Sequence, residues 1–262
     1  MRIACVGDNC VDDYAGEGRM YPGGNPVNVA ASVCRLGGEA SYIGPVGNDR
    51  YGEFLVNALR TRGVDVSHVR AEEGSTAVSY IAVVNGERTF TGFEEGVMAG
   101  YRPTADDIDF ICTHDLAVTG MWGHSESALE AVRARGVPTA YDSSDASFGK
   151  PAQAALPHAT LFFLSDDRSG DAELREKLRE LHARGPALVT ATRGSRGSLL
   201  YDGRDFIAQG IVPCEVVDTM GAGDSYIAGF LVSWLGKRPL AECMKAGAES
   251  AAVTIGRSGA WG

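Results

Sequence analysis

Short apolar runs alternate with amphipathic stretches along most of this chain. The apolar runs have the length and composition of buried strands, at residues 3–6, 40–43, 116–119, 139–141, 161–164 and 187–192. Between them, apolar residues recur with the spacing of a helix face, near residues 26–36, 51–62, 105–112, 125–135 and 171–184. This alternation predicts an α/β fold with three layers, α/β/α, in which helices cover both faces of a mostly parallel sheet. Ligands of such a sheet bind beyond the carboxyl ends of its strands.

One segment departs from this alternation. Residues 76–84 and 87–93 are two strand-like runs joined by Asn85-Gly86, which is typical of the type I′ turn of a β-hairpin. Such a hairpin is either a lid over a ligand or an edge hairpin of the main sheet, and periodicity does not separate the two. The chain shows no internal repeat or flexible linker, so we expect a single domain over residues 1–262.

A glycine-rich turn near the end of the chain has the pattern of an anion site. Residues 218–225 read DTMGAGDS, and the apolar residues that follow have helical spacing, at Ile227, Phe230, Leu231, Trp234 and Leu235. A helix is therefore predicted to begin near Asp224, after a short strand at residues 213–217. Small residues at 221–223 let a ligand approach the backbone, where free N–H groups and the helix dipole favour a phosphoryl group.

Asp224 lies at the mouth of this helix, where a carboxylate would repel a phosphate. A carboxylate at this position is explained if Asp224 accepts the proton of an attacking hydroxyl during phosphoryl transfer. The alternative is that Asp224 or Ser225 is only the N-cap of the helix, because both residue types are favoured there.

A second glycine-rich helix start lies near the other end of the chain. Residues 23–38 read GGNPVNVAASVCRLGG, with Pro26 at a first helical position and Gly37 as the stop. Asn25 and Asn28 carry short amides that can donate to and accept from sugar hydroxyls. The structural alternative makes Asn25 the N-cap and places Asn28 on a polar face.

Composition narrows the classes of partner. The 262 residues are 44% hydrophobic and 22% charged, which is enough apolar sequence for one sizeable core. A formal net charge of −10 argues against nucleic acid and against an anionic membrane surface as partners. The apolar run at residues 3–6 is too short for a signal sequence or a membrane span, so the expected location is the cytoplasm.

Together, the two glycine-rich stretches resemble the two signatures of the PfkB/ribokinase family of carbohydrate kinases, and the resemblance runs along nearly the whole chain. It implies a ribokinase-like fold in which strands near residues 12–22 and 75–95 form a lid over the sugar. Such lids often pair between subunits, so a homodimer through the lid is expected. The implied activity is transfer of the γ-phosphoryl group of ATP to a sugar hydroxyl.

The resemblance also implies roles for individual residues. The catalytic base is Asp224, and the anion hole consists of Gly221, Ala222 and Gly223. The sugar contacts are Asp12, Gly24, Asn25 and Asn28. The ATP contacts are Thr192, Gly194, Gly197, Asp218 and Thr219. The last two also match a site for a monovalent cation such as K⁺, and residues 251–260 match the far wall of the adenine pocket and that cation site.

Magnesium is expected with ATP, because the charge of the β- and γ-phosphates must be neutralised. Many members of the family carry an Asn-x-x-Glu sequence that organises Mg²⁺ through water. This chain has Ser165, Asp166, Asp167 and Arg168 at that place. The residues that hold the metal are therefore not assigned, and Asp166 and Asp167 are candidates to replace the missing carboxylate.

Motifs at residues 7–12, 95–99 and 122–126 imply, through the same resemblance, that the acceptor is the 6-hydroxyl of fructoselysine. The alternatives are a fructokinase or another ketose or pentose kinase, and a non-catalytic sugar-binding protein on the same fold. An intact Asp224 beside its anion hole disfavours the non-catalytic alternative, since a pure binder needs no proton acceptor there. Fold analogy alone would not decide between them.

Fructoselysine is a ketose joined through an amine to an amino acid, so its site needs charges of both signs beyond the sugar. Glu94 and Glu95 are candidates for contact with the ammonium group and Arg88 with the carboxylate, unless all three are solvated charges of the hairpin. Trp122 and His124 are candidates for ligand contacts, and the alternatives are a core tryptophan and a structural histidine.

Overall fold

The computed structural model describes residues 1–14, 18–84 and 87–261, and within them every side chain except those of residues 83–90. The strands are β1 (Arg2–Val6), β2 (Cys10–Tyr14), β3 (Arg19–Gly23), β4 (Glu39–Gly47), β5 (Asp65–Glu72), β6 (Val78–Val84), β7 (Glu87–Glu94), β8 (Leu116–Gly120), β9 (Thr139–Asp142), β10 (Leu161–Ser165), β11 (Leu188–Thr192), β12 (Ser198–Tyr201) and β13 (Phe206–Gln209). The α-helices are α1 (Asn25–Arg35), α2 (Arg50–Thr61), α3 (Ala105–Ile111), α4 (Glu126–Ala134), α5 (Lys150–Ala155), α6 (Asp171–His182), α7 (Ala222–Leu235) and α8 (Leu240–Ile255). The strands and helices of the predicted alternation are confirmed.

The larger sheet has nine strands in the order β13-β12-β11-β10-β9-β8-β1-β4-β5. Every neighbouring pair from β11 to β5 is parallel, whereas β12 and β13 add antiparallel strands at one edge. The chain runs from β1 outward to β4 and β5 and then returns to the other side of β1 as β8. The direction of the connections therefore reverses between β1 and β8, and ligands bind at the carboxyl ends beside such a reversal.

Side chains of the central strands are buried on both faces, as the continuous apolar runs predict. Ile3 and Cys5 of β1 belong to a core that includes residues of α1, α2, α7 and α8. The alternate residues Ala4 and Val6 belong to a second core with residues of α3 and α4. This two-residue alternation places helices on both sides of the sheet and confirms the predicted α/β/α layers.

The predicted hairpin lies in a separate sheet of four strands, in the order β3-β2-β6-β7. Strands β6 and β7 pair antiparallel, with a register shift between Tyr80 and Ile81, and β2 pairs parallel with β6. The interpretation as an edge hairpin of the main sheet is therefore wrong. The predicted type I′ turn at residues 85–86 lies outside the described residues.

The short strand predicted at residues 213–217 is wrong, because residues 211–216 have no regular structure. The backbone N–H groups of Val217 and Asp218 both donate to Ile255 O, at 2.9 and 3.0 Å. The side chains of Val216 and Val217 are 69% and 53% exposed, so their apolar character serves no core strand. Among the described helices, none is long and apolar enough to span a membrane.

Candidate active site

Helix α1 begins at a glycine that no other residue could replace without strain. Gly24 has φ +101°, and a Cβ atom on it would lie 2.5 Å from Asn9 Cα. Gly24 is the N-cap and Asn25 is already helical, so the interpretation of Asn25 as the N-cap is wrong. Asp8 replaces the missing cap, because its Oδ2 accepts a hydrogen bond from Asn25 N at 3.0 Å.

Helix α7 begins at a second constrained glycine. Gly221 has φ +70°, and a Cβ on it would lie 2.6 Å from Ala260 Cβ. The N-cap is Gly221, so the interpretation of Asp224 or Ser225 as the N-cap is wrong. The backbone N–H groups of the first turn have no acceptor inside the helix, and a Cβ on Gly223 would meet no protein atom within 4 Å. An anion can therefore approach the start of α7 from the open side.

The two signatures meet at the carboxylate of Asp224. Asn25 Nδ2 donates to Asp224 Oδ1 at 2.6 Å, and Asn28 Nδ2 donates to Asp224 Oδ2 at 2.7 Å. Asn28 is buried, so the interpretation that it lies on a polar helix face is wrong. Asn25 Nδ2 also donates to Asp142 Oδ2 at 2.8 Å, which brings a second carboxylate within reach of the same amide.

Sequence reasoning missed Asp8 and Asp142. Asp142 is the last residue of β9, and Asp8 follows β1 by two residues. Both therefore occur at carboxyl ends of parallel strands that flank β8 in the sheet. A place at such a strand end is the only sequence signal that could have identified them. A single aspartate in such a place is common in turns, so the signal is weak without the fold.

The carboxylates of this cluster have shifted proton affinities. Burial, and then the negative charge of Asp142, raises the pKa of Asp224 to about 7, against the hydrogen bonds from Asn28 and Asn25. Burial also raises the pKa of Asp8 and of Asp142, each to about 6. A carboxylate whose pKa lies near neutral pH is suited to accept and release a proton during catalysis.

A cavity of about 820 Å³ extends from Asp224 along the carboxyl ends of the strands. The end that suits an anion lies at the start of α7, where the predicted anion hole of Gly221, Ala222 and Gly223 lines the cavity. The lining also includes four of the predicted ATP contacts, Thr192, Gly194, Gly197 and Thr219. The apolar side chains of Ile211, Val216, Ala251, Ala252 and Ile255 line the cavity as well. An apolar chamber with a donor-rich end suits a nucleotide, because a base needs apolar walls and phosphates need N–H donors.

Asp218 differs from the other predicted ATP contacts. It is buried, and its carboxylate accepts hydrogen bonds from Met220 N at 2.9 Å and from Gly259 N at 2.7 Å. These bonds join the turn before α7 to the last described residues of the chain. In this structure Asp218 shapes the anion-binding turn from behind.

Asp12 lies on β2 of the smaller sheet. Its Oδ1 is 3.7 Å from Cys10 Sγ, and a Cβ on Gly23 would lie 3.0 Å from its Oδ2. The charges of Asp12 and Asp8 both raise the pKa of the Cys10 thiol, after burial, which places the two carboxylates around one side chain. The side chain of Asp13, the next residue on β2, faces the other side of the sheet. Its Oδ2 accepts a hydrogen bond from Tyr51 Oη at 2.5 Å.

Glu95 and His124 form a pair beside Asp8. Glu95 Oε1 and His124 Nε2 are 2.5 Å apart, and the charges of both residues act on the pKa of Asp8. Trp122 is 58% exposed, so the interpretation as a core tryptophan is wrong. The side chain of Arg88 lies outside the described residues.

Of the two aspartates that are candidates to replace the missing metal carboxylate, Asp166 is already engaged by protein donors. Asp166 accepts hydrogen bonds from Lys177 Nζ and from both Ser169 N and Ser169 Oγ, and these bonds lower its pKa to about 2 despite burial. Asp167 is exposed and lies near Arg168. Among the described side chains no group of three or more His, Cys, Asp or Glu could hold a metal ion.

Fold and site together define a phosphotransferase with an alcohol group as acceptor. The chain belongs to the pfkB family of carbohydrate kinases, whose family model matches residues 2–261. Fructoselysine 6-kinase of Escherichia coli (strain K12) is 39% identical over 259 residues, which cover 99% of this chain and 99% of that protein. Fructosamine kinase FrlD of Bacillus subtilis (strain 168) is 35% identical over 266 residues, covering 100% and 93%.

More distant comparisons agree on the fold. Fructokinase of Salmonella typhimurium is 29% identical over 272 residues, covering 88% of this chain and 84% of that protein. The solved structure of Arabidopsis thaliana ribokinase complexed with ribose and ATP has a TM-score of 0.86 at 20% identity, covering 98% of this chain and 93% of that chain. This last likeness confirms the ribokinase-like fold.

Proposed function

We propose that the chain transfers the γ-phosphoryl group of ATP to the 6-hydroxyl of fructoselysine. The observation that carries this proposal is the 39% identity, over 99% of both chains, to a fructoselysine 6-kinase. The fructokinase alternative has less support, since the fructokinase of Salmonella typhimurium is 29% identical over a smaller share of this chain.

The geometry supports a direct mechanism in which Asp224 is the base. The sugar hydroxyl lies against the Asp224 carboxylate, which accepts its proton as the oxygen attacks the γ-phosphorus of ATP. The N–H groups of Gly223 and its neighbours at the start of α7 bind the migrating phosphoryl group and neutralise its charge. Phosphoryl transfer depends mainly on such positioning and charge stabilisation, so these two features supply most of the catalysis.

Two amides predicted to hold the sugar have a second role in this proposal. The Nδ2 atoms of Asn25 and Asn28 donate to Asp224, so they fix the direction of the base. The predicted sugar contacts of Asp12 and of the backbone at Gly24 then remain on the side of the smaller sheet. Closure of this sheet over the sugar would exclude water from the reacting groups.

Replacing Asp12 with asparagine should raise KM for the sugar by roughly ten- to hundredfold, because a charged acceptor of sugar hydroxyls becomes neutral. KM for ATP should stay unchanged. Steady-state kinetics with each substrate varied in turn measures both constants. The matched control is Asp13→Asn, since Asp13 is adjacent on β2 but bonds to Tyr51. Equal effects of the two variants on the sugar KM would remove Asp12 from the site.

The amine of fructoselysine is cationic at neutral pH, and acidic groups beyond the sugar site suit it. Asp8 and Glu95 lie together there, and His124 is bonded to Glu95. We propose that this acidic group contacts the ammonium nitrogen. Of the two glutamates predicted for this contact, Glu95 belongs to the group, whereas Glu94 is an exposed residue at the end of β7. Arg88 stays a candidate for contact with the amino-acid carboxylate.

The substitution Glu95→Gln should raise KM for fructoselysine by about fivefold, a modest factor because the Glu95 side chain is 40% exposed. KM for fructose, which carries no amine, should change little. Parallel kinetics with the two sugars measures the difference, and Glu94→Gln on the adjacent exposed residue is the control. The same increase for both sugars would discredit the amine contact.

A coupled assay of ADP release tests the proposed function itself. We expect the highest kcat/KM with fructoselysine in a panel that also contains fructose, ribose and adenosine. A higher kcat/KM with fructose would favour the fructokinase alternative. ADP release that no acceptor accelerates would favour the non-catalytic alternative.

The remaining expectations belong to the same proposal. Mg²⁺ is proposed to enter with the ATP phosphates rather than on a site formed by protein carboxylates. A K⁺ site near Asp218 and Thr219, a homodimer through the smaller sheet and a cytoplasmic location stay predictions.

A further inference from the structure

Residues 259–261, here termed the closing segment, contact both signatures of the active site. Gly259 N donates to Asp218 Oδ2 at 2.7 Å, in the turn before α7. Ala260 is buried and lies directly against Gly221. A Cβ atom on Gly221 would lie 2.6 Å from the Cβ atom of Ala260. The closing segment therefore packs behind the anion-binding turn, and its last residue lies beside α1.

That last residue is Trp261, and its indole forms one bond with the active site. Trp261 Nε1 donates to Asn28 Oδ1 at 2.7 Å. The other end of the same amide, Asn28 Nδ2, donates to Asp224 Oδ2 at 2.7 Å. The indole lies beside the Ala31 and Ser32 positions of α1, partly buried against the main core. An uninterrupted chain of two hydrogen bonds thus leads from the indole to the catalytic carboxylate.

The chemistry of the indole fixes which atoms donate and which accept in these two hydrogen bonds. A carboxamide can rotate by half a turn and exchange its donor and acceptor ends, but an indole N–H can only donate. Rotation of Asn28 would set its NH₂ group against the indole N–H and its oxygen against Asp224. Asn25 is held differently, since its Nδ2 lies between the two carboxylates Asp142 and Asp224.

We propose that Trp261 is a positioning residue for phosphoryl transfer, because its indole N–H holds the Asn28 amide in the orientation that donates to Asp224. This inference rests on the proposed role of Asp224 as the base. Without the indole N–H, the Asn28 amide is held less firmly, and the hydrogen bond that stabilises the ionised form of Asp224 is weakened. The carboxylate then holds its proton more tightly, and the active form appears at higher pH.

The substitution Trp261→Phe keeps an aromatic ring in the core and removes only the N–H group. We expect the acid limb of the kcat/KM profile for the sugar to move to higher pH by about one unit, with little loss at high pH. Trp234→Phe, at another partly buried tryptophan of the same core, should leave the limb in place. In an Asn28→Ala background, Trp261→Phe should add no further shift. A uniform loss of rate with an unmoved limb would overturn the inference.

A second measurement needs no turnover. The chain has three tryptophans, so ¹⁵N-labelled protein gives few indole N–H resonances, and Trp261→Phe identifies the one of interest. We expect that resonance in the unsubstituted protein to titrate with Asp224 and to stop titrating in Asp224→Asn. An indole resonance insensitive to both pH and this substitution would overturn the inference. Turnover that survives Asp224→Asn would instead overturn the base assignment, which separates the two failures.

Discussion

Replacing Asp224 with asparagine should lower kcat by about a thousandfold or more, because the hydroxyl loses the group that accepts its proton. The asparagine keeps the size of the side chain, and the anion-binding N–H groups at the start of α7 are backbone atoms. ATP affinity measured by calorimetry should therefore remain close to that of the unsubstituted protein. An unchanged kcat in the ADP-release assay would remove Asp224 as the base.

The pH profile gives the same prediction a second form. Since the pKa of Asp224 is raised to about 7, kcat/KM should rise with pH and level off above neutrality. Asp142→Asn removes a negative charge that raises this pKa, so the acid limb should move to lower pH. The comparison distinguishes the base itself from a neighbour that only adjusts its proton affinity.

The effect of Asp224→Asn on stability should depend on pH in a defined direction, and measuring it tests whether the variant has lost structure. The pKa of this carboxyl rises from 3.8 to about 7 on folding, so the folded protein retains a proton that the unfolded chain has released. Binding of this proton stabilises the folded protein fully below about pH 4, and this stabilisation is lost as the pH rises to about 7. The difference in melting temperature, variant minus unsubstituted protein, should therefore increase between pH 4.5 and pH 8.

The substitution Gly223→Ala should lower kcat/KM by about a hundredfold, because a methyl group would occupy the space in which the phosphoryl group meets the backbone N–H donors. Gly223 lies in the first turn of α7 and lines the cavity. A Cβ atom there meets no protein atom within 4 Å, so the fold should tolerate it. The loss would then report ligand binding and catalysis rather than packing.

Gly170→Ala is the matched control for this substitution. Gly170 also lies at a helix start, with φ −69° at the N-cap of α6, and a Cβ on it meets no atom within 4 Å. Equal melting temperatures of both variants, with activity lost only in Gly223→Ala, are the expected result. Full activity of Gly223→Ala would contradict an anion site at the start of α7.

Much of the fold was predictable because strand and helix periods differ and each is repeated many times along the chain. Residues 213–217 are exposed and do not form the predicted strand, since a short apolar run looks the same in a sequence when it lines a cavity. The separate sheet formed by β2, β3, β6 and β7 was not derivable from periodicity, because which sheet a hairpin joins is a tertiary property.

The site was predictable only where local sequence demands it. Gly24 and Gly221 have positive φ and tight neighbours, so glycine is required and the signatures are visible in the sequence. Trp261 owes its place to contacts with residues far along the chain, and nothing local distinguishes it. Asp142 also bonds to a distant residue, and its only local signal is a place at the end of a strand, which is weak. Resemblance to a family supplied the roles of residues, but it assigned no metal ligands. Of the two aspartates that are candidates in their place, Asp166 is paired with Lys177.

Identification of the product tests the central claim most directly. Incubation with ATP and fructoselysine should give ADP and a phosphomonoester in equal amounts, with phosphorus coupled to the two protons on carbon 6 in a ³¹P–¹H correlation spectrum. The reaction should stop in Asp224→Asn. Free phosphate in place of a sugar phosphate, or an ester on another carbon, would contradict the proposed transfer to the 6-hydroxyl.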